Sequence, residues 1–98
     1  MQLLTEELKK RFSEVGSQDG NDNPLIVCKF FNPTGVGTWY ASEWIEEDGV
    51  FFGFVNLGDD ECAEWGYFSL KELEDFRGKF GLGIERVLFF KEKRFNEI

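Results

Sequence analysis

A chain of 98 residues with 42% hydrophobic and 17% aromatic side chains makes one domain, able to bury a core without a structural metal or disulfide. Its formal net charge of −8 disfavours direct binding to a phosphate backbone. No apolar run approaches the roughly 18–20 residues that span a bilayer. The N-terminal MQLLTEELKK lacks the basic and then apolar regions of a signal peptide, so a cytoplasmic protein is expected, with Cys28 and Cys62 as reduced thiols.

In chain order, Thr5 is suited to cap a first helix, with Glu6 and Glu7 at its positive end. Leu4, Leu8, Phe12 and Val15 form one apolar stripe, and Gly16 ends the helix. The segment 16–24 is turn chemistry throughout and reads as a mobile surface loop. Leu25–Phe31 reads as a strand with Ile26, Cys28 and Phe30 on one face. The Gly-x-Gly at 35–37 is no phosphate loop, because no P-loop lysine follows and no helix opens after it.

A second strand is expected over Thr38–Ile45 and a third over Val50–Leu57, joined by the turn Glu46–Gly49. With Ile45 opposite Val50, strict alternation puts Trp39, Ala41, Glu43, Val50, Phe52 and Phe54 on one face. It puts Tyr40, Ser42, Trp44, Phe51, Gly53, Val55 and Leu57 on the other. Phe52 and Phe54 are therefore expected to be buried. Gly53 marks either the close approach of another element or a bulge.

Glu64–Phe68 reads as a fourth strand. Ser69 and Glu72 then form a capping-box pair, and Phe68 and Leu73 a hydrophobic staple, so a helix is predicted from 69 or 70 to about Arg77. Leu73 and Phe76 are expected to face the core. Arg86–Lys91 reads as a last strand and 91–98 as a charged C-terminal tail. The order α-β-β-β-β-α-β specifies an α+β domain spanning 1–98: an antiparallel β-meander of four to five strands with two helices packed on it.

The charge is unevenly placed. Residues 16–70 hold ten acids and Lys29 alone among bases, whereas 1–15 hold three of each and 71–98 six acids and seven bases. The stretch Thr38–Phe68 contains all three tryptophans, both tyrosines and eight carboxylates.

The runs KFFNPTGVGTWYASEW, FFGFVNLGDDECAEWGYFSLKELE and FRGKFGLGIER resemble a family of small bacterial proteins classed as a domain of unknown function. The resemblance extends from Leu3 to Glu97. It implies a gene carried on plasmids, integrative elements and phages, often near antirestriction genes, and it marks Trp39, Tyr40, Glu85 and Arg86 as family positions. The family usually has Asp after Ile-Glu-Arg, where this chain has Val87.

No histidine is present, which removes the commonest general base and metal ligand, and no Ser or Cys stands in a nucleophile motif. Asp59, Asp60 and Glu61 offer oxygen ligands but lack an EF-hand pattern, and read better as a solvated turn. Glu43, Glu64, Glu85 and Arg86 would make a carboxylate site only if the fold gathers them; Glu85 and Arg86 read more simply as an ion pair or a family-specific structural contact. No enzyme, cofactor or metal is expected.

The acidic middle instead suggests a protein-binding module, with Glu46, Glu47, Asp48, Asp59, Asp60, Glu61, Glu43 and Glu64 facing a basic host protein. Combined with the resemblance, the expectation is an anti-defence inhibitor that occupies a nucleic-acid-binding surface, as a nuclease has. The alternatives are a small carboxylate- or metal-dependent enzyme and a self-assembling structural protein. The trios 46–48 and 59–61 fall at opposite ends of the third strand, roughly 25 Å apart, so a continuous acidic stripe is not assured.

Overall fold

The computed structural model describes all 98 residues. The first helix, α1 (Glu6–Val15), begins where expected: the Thr5 hydroxyl accepts the Leu8 N–H at 3.1 Å, and Gly16 closes the helix at φ 71°. Its stripe is the core face. Leu4 and Phe12 are buried, and Leu8 and Val15 pack against the same cluster.

The predicted first strand divides at Val27 into β1 (Leu25–Ile26) and β2 (Cys28–Phe31), and β3 (Thr38–Ile45) and β4 (Val50–Asn56) follow as a hairpin. Next come β5 (Glu64–Ser69), α2 (Leu70–Asp75) and two short strands, β6 (Glu85–Arg86) and β7 (Lys93–Arg94). The main sheet has the order β5-β4-β3-β2-β6, antiparallel throughout, and β1 pairs with β7 in a separate ribbon. The fold is thus α+β, a meander with two helices. Its last predicted strand is shortened to two residues.

Ile45 pairs with Val50 as the alternation requires, but a β-bulge intervenes: Ala41 opposes Gly53, while Glu43 opposes Phe52. The extra residue is Ser42, whose hydroxyl donates to the Phe52 carbonyl at 3.0 Å. A bulge exchanges the two faces of everything beyond it. Consequently Trp39 and Ala41 share the helix-covered face with Trp44, Phe51 and Phe68, not with Phe52 and Phe54. Phe51 is the fully buried ring, with Phe12, Phe30, Trp44 and Phe68 at centroid distances of 4.9–5.9 Å. Phe52 and Phe54 are half-buried on the opposite face, which corrects the expectation that both lie in the core.

Gly53 serves both readings proposed for it. It lies opposite the bulge, and a Cβ there would collide with the carbonyl oxygen of Tyr40.

The Ser69 hydroxyl accepts the Glu72 N–H at 3.2 Å, and Phe68 and Leu73 are both buried, so cap and staple form. Only this half of the expected capping box is made: the Glu72 carboxylate does not reach back to the Ser69 N–H. The helix stops at Asp75, two residues short of the prediction. Phe76 turns extended and is 41% exposed rather than in the core.

Nor is the C-terminal segment a free tail. Arg94 pairs with Leu25, Phe95 N–H donates to Pro24 O at 2.9 Å, and Arg11 forks onto Glu92 at 2.7 and 2.8 Å. Both cysteines are free thiols, Cys28 buried and Cys62 exposed. No helix is long and apolar enough to cross a membrane.

Candidate functional site: an aromatic cleft with an acidic rim

The face of the sheet turned away from α1 is built from two cross-strand rows. Lys29, Tyr40, Phe54 and Trp65 occupy one; Glu43, Phe52 and Tyr67 occupy the other. The rings interlock: Phe52 stacks on Trp65 at 5.9 Å and 18°, and meets Tyr67 edge-on at 5.0 Å. Phe95, brought by the C-terminal turn, packs on Phe54 and Trp65 at 4.9 and 4.8 Å. Aromatic pairs at such separations add to their area burial. Even so, Tyr67 is 71% exposed.

The loop 17–24 folds over the same face. Gln18 tethers it, donating to the carbonyls of Leu25 and Ser42 at 2.8 Å each and accepting the Leu25 N–H at 2.6 Å. The bulge that displaces Ser42 is therefore also the anchor of the loop. Between loop and sheet lies a cleft of about 570 Å³, floored by Phe52, Trp65 and Tyr67 and walled by the loop, with Asp19, Asp22 and Glu43 among its lining residues. None of these three carboxylates belongs to any of the chain's five ion pairs. A smaller hollow of about 320 Å³ shares Trp65 and Tyr67 and adds Asp59 and Glu64.

The expected acidic residues are thus distributed unequally. Glu43 lies in the cleft, whereas Glu64, opposite Val55, leaves the end of β5 on the other face of the sheet. In the β3–β4 turn, Glu46 is engaged by Lys9 Nζ and by the Trp44 indole N–H, both at 3.2 Å, while Glu47 and Asp48 project into solvent. At the other end of β4, Asp59 caps the short turn 60–62 by accepting from Glu61 N–H, and Asp60 accepts from Asn56; Glu61 is exposed. Asp19 and Asp22 were not anticipated, since nothing in a turn-rich loop says which surface it will cover.

The carboxylates suggested as a possible site are not gathered. Glu85 lies opposite Phe31 and Arg86 opposite Phe30, so their side chains leave β6 on opposite faces, and they form no ion pair. Arg86 turns to the core side, where its Nε is buried without a hydrogen-bond partner. Its charge opposes, but does not overcome, the burial that pushes the Cys28 thiol up to about 12. Trp39 packs against the core and Tyr40 lies on the cleft face, with Lys29 Nζ 5.2 Å from its ring centre. No three His, Cys, Asp or Glu side chains stand close enough to hold a metal ion.

A family model described as a protein of unknown function (DUF2958) matches residues 3–95. The chain belongs to that family. No curated protein and no solved structure matches the chain. The motifs TWY and GYFSL of this family member contribute both sides of its sheet: Trp39 to the core, Tyr40 and Tyr67 to the aromatic face, and Phe68 with Ser69 to the start of α2.

Proposed function

We propose that this DUF2958 protein is an acidic binding module that captures a basic protein partner through the aromatic cleft, without catalysing a reaction. The observation that carries the reading is the combination of three unpaired carboxylates with an aromatic floor of half-buried Phe52 and Trp65 and exposed Tyr67. Aromatic anchors are the usual energetic centres of interfaces, and a ring face attracts an ammonium or guanidinium group held over it. Unpaired carboxylates at the rim steer a basic partner in and exclude an acidic one.

The setting follows from the mobile-element company the resemblance implies. In the cytoplasm, such a module serves as an anti-defence inhibitor, covering the basic surface with which a host nuclease holds nucleic acid. The cleft and the neighbouring Asp59 are its contact, rather than a continuous string of charges imitating a duplex.

The test is capture from a bacterial lysate at low salt with the native chain and with the D19N/D22N/E43Q variant. The reading expects basic, nucleic-acid-binding proteins on the native chain alone, released by salt and by added DNA. Equal capture by both chains, or capture that DNA does not reduce, contradicts it.

A further inference from the structure

The two edges of the main sheet are unlike. At one end β6 is only two residues long, a common way of blunting an edge against pairing. At the other end β5 runs six residues, Glu64–Ser69, with β4 on one side and no strand on the other. Its sequence, EWGYFS, carries none of the usual edge protections: no Lys, no Pro, and a single charge at its first residue.

The hydrogen-bond alternation shows which groups are free. Leu70 N–H donates to Gly49 O, so the residues two, four and six earlier (Phe68, Gly66 and Glu64) are those directed at β4. Trp65 and Tyr67 therefore turn their N–H and C=O groups outward, where no group of the chain bonds them.

The same two residues put their rings into the floor of the cleft. In an antiparallel pair, residues directly opposite share a face. A strand added outside β5 thus presents every second side chain to the Trp65–Tyr67 side, between the carboxylates of Asp19, Asp22 and Glu43 and that of Asp59.

We infer that β5 is a strand-addition edge, taking an extended segment of a basic protein that bonds the backbone of Trp65 and Tyr67 and lays alternate Lys or Arg side chains across the aromatic floor. The inference rests on the binding reading above and adds its mode. In strand addition, backbone bonds supply affinity and alternate side chains supply specificity. Charge selects the occupant: a second copy would bring another net −8 and its own acidic rim to the edge, whereas a Lys- or Arg-bearing segment neutralises that rim.

The probe is an acetylated, amidated heptapeptide of alternating Thr and Lys, titrated into the ¹⁵N-labelled chain at low salt. Two further versions carry backbone N-methyl groups, one on the Lys residues, whose N–H groups would bond β5, the other on the Thr residues, whose N–H groups point away. Binding of the parent should shift the Trp65 and Tyr67 amides. N-methylation of the Lys residues should weaken it by about tenfold, the factor expected when modest backbone bonds are lost, and N-methylation of the Thr residues should leave it within about threefold.

Equal affinity for all three peptides, with shifts confined to the cleft side chains, overturns the strand mode and leaves the basic-partner reading standing. A Glu-for-Lys peptide that binds as well as the parent overturns both. Dimerisation of the free chain that protects the Trp65 and Tyr67 amides assigns the edge to a second copy and overturns the inference.

Discussion

A side-chain carbon on Gly53 would collide with the Tyr40 carbonyl oxygen, and would also lie 3.0 Å from the Cα of Ala41. The two strands approach this closely because Ser42 bulges out of β3 at that point, drawing the backbone of one strand across the other. Since the obstacle is backbone, it cannot rotate aside. Gly53→Ala should therefore destabilise the protein by about 1–3 kcal/mol or more, read as a lower denaturant midpoint. An unchanged midpoint would show that the bulge is absent or pliable.

Phe51 and Phe52 are adjacent in sequence and opposite in role. Phe51 is fully buried among four aromatic rings, so Phe51→Ala should cost about 3–5 kcal/mol. Phe52→Ala removes a half-buried ring from the cleft floor. It should cost clearly less in stability while lowering affinity for a basic partner. Thermal or denaturant unfolding of the two variants side by side checks the order.

Gln18 holds the cleft wall with three hydrogen bonds. Gln18→Ala leaves the Ser42 carbonyl without this donor and releases the loop. A loss of about 1–3 kcal/mol is expected, with faster hydrogen exchange at the Leu25 amide, whose acceptor is the Gln18 side chain. Unchanged exchange there would mean the loop is held by other contacts.

The two thiols should differ in reactivity. Burial raises the Cys28 thiol to about 12 from an ordinary 9.0, and the thiolate is the reactive form. Near neutral pH a thiol reagent should consume one equivalent, at Cys62, in the native protein and a second only on unfolding. The linked effect on stability has a definite sign: the folded state holds its proton more tightly than the unfolded chain. The contribution is therefore complete below about pH 9 and is lost as pH rises from 9 toward 12. Alkaline unfolding of Cys28→Ala should show a smaller decline over that window than the native chain.

Much of the scaffold was legible in local chemistry. Thr5 with Glu6 and Glu7, the 46–49 turn with Gly49 at φ 65°, and Ser69 with its staple all formed where the residues indicated. What escaped were the consequences of single residues acting at a distance. The bulge at Ser42 reverses the faces of the hairpin, and a period-two pattern cannot register an extra residue without its partner strand.

The β1–β7 ribbon joins two residues near the start of the sheet to two near the end of the chain, too short a pairing to leave a pattern. The loop of Asp19 and Asp22 becomes a cleft wall because Gln18 finds the bulged Ser42 carbonyl, a contact specified by the fold. Glu85 and Arg86, adjacent in sequence, are separated by the pleat that neighbouring residues in any strand obey.

The central claim is that the cleft carboxylates, rather than the turn carboxylates, receive a basic partner. It is tested most directly by the salt dependence of binding to a captured partner, measured for three chains: native, D19N/D22N/E43Q and E46Q/E47Q/D48N. Glu46 is already committed to Lys9 and Trp44, so the turn variant should bind with near-native affinity and a near-native salt slope. The cleft variant should bind at least about tenfold more weakly, with a flattened slope. The opposite ranking, an intact cleft variant and a crippled turn variant, would contradict the account.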